Sequence, residues 1–170
     1  PNTKWVRACL FKKLKAVMTK PSSRISSEIP FDQEGKHVGF LRLPHSIHRS
    51  AYGWIPIPVA SIKNGKGPTV LLMAGNHGDE YEGQIGLSTL LRMLDIQDVQ
   101  GQIIFLPSAN FPAAAAGMRT SPIDEGNLNR LFPGDPNGTV TQQMAWYIEN
   151  VLLAQVDYVF DLHSGGSSLM

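Results

Sequence analysis

Thr69-Val-Leu-Leu-Met-Ala74 is the stretch that decides the fold. An almost unbroken apolar run of six, entered from the turn cluster Asn64-Gly-Lys-Gly-Pro68 and left through Gly75-Asn-His77-Gly, has the pattern of a strand buried on both faces. Downstream, Glu80 to Leu94 reads as a helix, because Leu87, Leu90, Leu91 and Leu94 recur at spacings of three and four. Gln102 to Leu106 is a second buried strand. Thr139 to Gln142 has the capping-box spacing, which opens a helix carrying Met144, Ile148, Val151 and Leu152. Asp157 to Leu162 is one more strand. Upstream, His37 to Leu43 and Trp54 to Ile62 look extended, and Pro56 and Pro58 assign the second of these to a sheet edge, since proline donates nothing to a ladder. This order of strands and helices predicts an α/β fold, a mostly parallel sheet with helices on both faces. The stretch from Ser108 to Gly138 reads as a long irregular loop, and a loop of that length inside a compact domain is usually functional.

The composition suits one domain or part of a larger one: 170 residues, 42% of them hydrophobic. A net charge of +1 conceals an asymmetry, because residues 1–20 carry six Lys or Arg and no acid, which leaves the remainder near −5. That balance argues against a nucleic-acid surface on the body of the protein. No apolar run approaches the roughly 18 residues of a membrane span, so no membrane partner is expected. Cys9 stands alone, which rules out an intrachain disulfide and suggests a reducing, cytoplasmic setting. Lys4 to Lys20 has a helix-compatible rhythm and reads as a solvated terminal helix or extension. Pro21 to Ser27 reads as a linker. Residues 1–35 are therefore expected to be a basic extension and linker, and residues 36–170 the folded part. Whether the protein forms a homo-oligomer is open at this level.

The chemistry lies in three short segments: Gly75-Asn-His77-Gly-Asp-Glu80, Asn127-Leu-Asn129-Arg130 and Asp161-Leu-His163. Ligands gather outside the carboxyl ends of parallel strands. His77 and His163 each follow such an end, and Glu80 sits three residues after His77, on the same side if a helix starts there. Two imidazoles and one carboxylate are a ligand set that leaves zinc an open position, as a hydrolytic site requires. A lone His-x-x-Glu arises easily by chance, so the weight rests on the three segments together. Arg119, Asn129 and Arg130 fall in the long loop. Asn129 and Arg130 suit a substrate carboxylate, and Arg119 the oxyanion of a tetrahedral intermediate. Asp161, two residues before His163 on a strand, is placed either to hold that imidazole or to make a simple structural hydrogen bond. Asp79 reads as an ordering residue of the His77 turn.

His-Gly-Asp-Glu, Asn-Leu-Asn-Arg-x-Phe-Pro-Gly and Asp-Leu-His-Ser-Gly, in this order, resemble the succinylglutamate desuccinylase and aspartoacylase family, relatives of the zinc carboxypeptidases. The resemblance runs from about Gly39 to the last residue. Thr120-Ser-Pro-Ile-Asp124 and the following Gly126-Asn-Leu-Asn-Arg130 are most similar to the family's bacterial deacetylases of N2-acetyl-2,4-diaminobutanoate, which act in ectoine breakdown. The resemblance implies one zinc ion held by His77, Glu80 and His163, Arg119 at the oxyanion, and Asn129 with Arg130 on the carboxylate of a small N-acyl amino acid. It also implies a zinc-carboxypeptidase-like (phosphorylase/hydrolase-like) fold, present as the N-terminal portion only. The family's general-base glutamate comes well after the third ligand, and no acid follows His163 in this sequence. Asn127 stands where aspartoacylases tend to have Asp. Two other functions would use the same front half: a zinc metallocarboxypeptidase acting on peptides, and a binding module without turnover.

Overall fold

The computed structural model describes residues 22–49 and 51–168. The expectations for Lys4 to Lys20 and for Cys9 lie outside these residues. Six strands form one sheet: β1 (Ser26–Ser27), β2 (Gly35–Pro44), β3 (Trp54–Asn64), β4 (Thr69–Ala74), β5 (Gly101–Leu106) and β6 (Tyr158–Leu162). Their spatial order is β1-β2-β3-β5-β4-β6. The pairs β1–β2, β2–β3 and β3–β5 are antiparallel, whereas β5, β4 and β6 run parallel. The sheet is thus mixed, and its parallel half is the part that carries the candidate site.

Three helices of ordinary α geometry pack on this sheet: α1 (Tyr81–Met93), α2 (Phe111–Ala116) and α3 (Val140–Tyr147). The two-residue alternation of β4 explains why both of its faces are apolar. Leu71 and Met73 face one core with Leu41, Leu43, Ile57, Ile104 and Leu106, closed by Met144, Ala145 and Ile148 of α3 and the turn after it. Ala74 and Leu72 face the other core with Ala60, Ile62 and Phe105, closed by Leu87, Leu91 and Leu94 from α1 and its end. Helices therefore cover both faces. Leu90 is half-exposed, because the buried ridge of α1 runs through Leu87, Leu91 and Leu94 and passes it by.

Three expectations are corrected. Trp54 to Ile62 is not an edge strand, for β3 lies between β2 and β5. β5 reaches only Ala60 to Asn64, so Pro56 and Pro58 occupy the half of β3 that pairs with β2 alone, where a missing N–H breaks no ladder on the far side. The supposed linker is also part of the body from Ile25 on: Ser26 and Ser27 pair with Arg42 and Leu41, and Ile25 and Ile29 are buried. Within the supposed irregular stretch, Phe111–Ala116 is helical.

In the β4–β6 register Ala74 is level with Leu162. The two chains leave the sheet side by side at its carboxyl edge. His77 and His163 are thereby brought to one place.

Candidate metal centre

Beyond Ala74 the chain turns at once into α1, and Gly78 lies so close to the backbone of Ala113 and Ala114 in α2 that no side chain would fit there. Glu80 is the residue before α1, with φ −91° and ψ 82°, outside helical geometry. The His77–Glu80 approach therefore comes from a tight turn, in which the Glu80 N–H donates to the His77 carbonyl at 3.3 Å, and not from a helical turn.

Glu80 is the hub. Its Oε1 lies 2.7 Å from His77 Nδ1 and accepts from Arg119 Nη1 at 3.2 Å. Its Oε2 lies 3.0 Å from His163 Nδ1 and accepts the Ser164 N–H at 3.0 Å. One ligand atom from each of His77, Glu80 and His163 falls within 4.8 Å of the others. His77 and Glu80 are buried, at 2% and 4% exposure, whereas the His163 side chain is 34% exposed. Each imidazole commits its other nitrogen outward. His77 Nε2 lies 3.2 Å from Asn127 Oδ1, and His163 Nε2 lies 2.9 Å from Asp161 Oδ2, which also accepts from Asn76 Nδ2 at 2.6 Å.

The electrostatics follow from these contacts. Burial by itself would raise the Glu80 carboxyl, but the Ser164 N–H and His77 outweigh it and hold the group below the ordinary carboxylate range. Burial would lower the His163 imidazole, but the Asp161 and Glu80 carboxylates dominate and raise it. Both histidines thus turn Nδ1 toward one ionised carboxylate while Nε2 is held from behind. A convergent set of two imidazole nitrogens and a carboxylate, with each ring fixed by an outer partner, suits a divalent ion of zinc's preferences.

Asn127, Asn129 and Arg130 come from one turn, with Leu128–Arg130 in 3-10 geometry. Asp124 braces the loop leading to it, accepting the Gly126 N–H at 3.2 Å and both the N–H and the hydroxyl of Thr141 at 2.7 Å. Of the residues singled out in the sequence, His77, Glu80, His163, Arg119 and Asp161 meet here. Asn129 and Arg130 stand exposed on the neighbouring turn and make no hydrogen bond to the three. Sequence reasoning missed Asn76 and Ser164 as partners, and it treated Asn127 as a departure when it is what His77 Nε2 faces. The signal for Asn127 was its position two residues before Asn129 in the quoted motif. A backbone donor such as the Ser164 N–H has no signal in residue type.

The Succinylglutamate desuccinylase/Aspartoacylase catalytic domain matches residues 66–170. The chain belongs to this family. Within the desuccinylase/aspartoacylase group, it is 53% identical over 147 residues to an N-alpha-acetyl-L-2,4-diaminobutyric acid deacetylase of Halomonas elongata, covering 86% of this chain and 43% of the relative. A product-bound structure of the ectoine utilization protein EutE (DoeB) from Ruegeria pomeroyi is similar at TM-score 0.84 and 52% identity, over 85% of this chain and 44% of that one. A succinylglutamate desuccinylase from a Silicibacter species superposes at TM-score 0.83 and 51% identity, over 86% and 44%. The chain thus spans less than half the length of these desuccinylase/aspartoacylase relatives.

Proposed function

We propose that the protein is a zinc-dependent amidohydrolase that removes an acyl group, acetyl first, from the amine of a small N-acyl amino acid such as N2-acetyl-2,4-diaminobutanoate. In this reading the chain from Ile25 onward is the amino-terminal part of the catalytic domain, and the setting is cytoplasmic. The convergence of His77, Glu80 and His163 at one sheet edge carries the proposal. The similarity to a diaminobutyric acid deacetylase supports the substrate class.

Zinc held by His77, Glu80 and His163 supplies Lewis-acid polarisation of the acyl carbonyl and an acidified water. The chain's own residues prepare the rest. Asn127 and Asp161 hold the two rings from behind, so that Nδ1 of each is kept toward the donor set. Arg119 places a permanent charge against Glu80 while nearly half of its side chain remains open to solvent, and it is assigned to the oxyanion that develops on the acyl carbonyl oxygen. Asn129 and Arg130, exposed on the turn beside the ligands, are assigned to the free carboxylate, which a guanidinium binds bidentately.

The test uses the full-length protein. About one equivalent of zinc is expected, with acetate released from N2-acetyl-2,4-diaminobutanoate in preference to acetylaspartate, and with no release of C-terminal residues from peptides. Less than about half an equivalent of zinc, with no activity on adding more, would overturn the reading. Release of peptide C-terminal residues instead would assign a metallocarboxypeptidase.

A further inference from the structure

Asp79 stands between two of the proposed ligands, yet none of the chemistry above uses it. Its side chain is buried, with the residue 4% exposed. Oδ2 accepts two hydrogen bonds from one residue 88 positions later, the Ser167 N–H at 3.0 Å and the Ser167 hydroxyl at 2.8 Å. Gly166 passes so close that a Cβ there would come within 2.7 Å of the same oxygen, and its φ of +57° is one that glycine adopts freely. At the other end of this segment, Ser164 donates its N–H to Glu80 Oε2. The adjacent side chains of residues 79 and 80 therefore grip both ends of the four residues that follow His163.

His163 comes from a different part of the sheet edge than the other two ligands. His77 and Glu80 lie in a buried turn wedged between α1 and α2, whereas His163 follows β6, which among the described residues pairs with β4. Pairing with β4 sets where β6 ends. It does not set the direction the chain takes past Leu162.

From this the geometry points to Asp79 as a positioning residue: it clamps Ser164–Ser167 through Ser167 and so fixes the direction from which His163 enters the donor set. The inference rests on the reading of the site as a metal centre. Asp79 is not counted among the ligands, because the donor atoms that converge belong to His77, Glu80 and His163, while Asp79 Oδ2 is taken by Ser167. Glu80 and Glu82 hold the first residue of the segment, through the Ser164 N–H and hydroxyl, and Asp79 holds its last.

The experiment measures zinc affinity by chelator competition, and the visible absorption of the cobalt-substituted protein, on full-length parent, Asp79→Ala, Asp79→Asn and Ser167→Ala. Asp79→Ala is expected to weaken zinc binding about 10- to 100-fold and to alter the cobalt spectrum, as loss of a supporting partner does elsewhere. Asp79→Asn keeps an acceptor oxygen for Ser167 and should recover most of both. Parent affinity and an unchanged spectrum in Asp79→Ala overturn the proposal. Should that variant not fold, Ser167→Ala decides, with weakened zinc binding expected and parent affinity overturning it. A parent protein that binds no zinc overturns the metal reading and this inference together, whereas zinc-binding parent with unaffected variants overturns this inference alone.

Discussion

Glu80 touches both imidazoles, Arg119 and the Ser164 N–H, so the substitutions around it should separate by what each neighbour contributes. His163 is a proposed ligand, and His163→Ala should abolish tight zinc binding measured by equilibrium dialysis. Retention of a full equivalent at parent affinity would remove it from the ligand set. Arg119 contacts the carboxylate of Glu80, a proposed ligand, but donates no electron pair, so Arg119→Ala should spare the metal and lower kcat by about two to three orders of magnitude, the usual cost of losing an oxyanion donor. Unchanged turnover would remove that role. At this scale the sequence was legible where a residue type carries its own chemistry, as His, Glu and Arg do. It was illegible where the partner is an amide or a backbone N–H. Asn76 and Ser164 resemble any other polar loop residues until the sheet brings Asp161 and Glu80 beside them.

Elements were legible in proportion to how much of their pattern is local. Thr139 and Gln142 bond each other's backbone as the capping-box spacing implied, with Thr139 N–H donating to Gln142 Oε1 at 2.9 Å. α2 escaped detection because six residues hold no amphipathic period, although Pro112 in its first turn, four alanines and a closing Gly117 were local signals for it. The position of β3 was misjudged for a non-local reason: β5 stops at the level of Ala60, which leaves the prolines beside an open flank. The loop that carries Arg119 and Asn127 owes its attachment to α3 to Asp124. Burial alone would raise that carboxyl, but the N–H and hydroxyl of Thr141 outweigh it and hold the group below its ordinary range. Asp124→Asn should therefore destabilise the protein by about 1.5–3 kcal/mol at neutral pH, the range for losing a hydrogen bond to a charged group. Because the folded-state value is the lower one, this contribution is full above the unfolded value of about 3.9 and fades as pH falls through the folded value. Denaturation of parent and variant at pH 7 and near pH 3 should show the gap narrowing on acidification. A gap independent of pH would mean that the charge of Asp124 is not what holds the loop.

At the scale of the whole molecule, the parallel half of the sheet was readable from apolar runs, but the strand order was not, since it depends on which edges meet after folding. That order has an energetic consequence. His77 and Glu80 belong to the turn between β4 and α1, and His163 follows β6, which pairs with β4 among the described residues, so a shared ion would cross-link segments 83 residues apart. An ion that binds only the assembled site stabilises the folded state by mass action, by about 4 kcal/mol when present at about a thousand times its Kd. Chelation should accordingly lower the melting temperature of the protein, and added zinc should restore it in proportion to the logarithm of its free concentration. In His163→Ala the same titration should leave the melting temperature flat, while the metal-free variant melts close to the metal-free parent, because the imbalance falls on a partly exposed ring and not on either core. A zinc-dependent shift of parent size in that variant would place the stabilising ion somewhere other than this edge of the sheet.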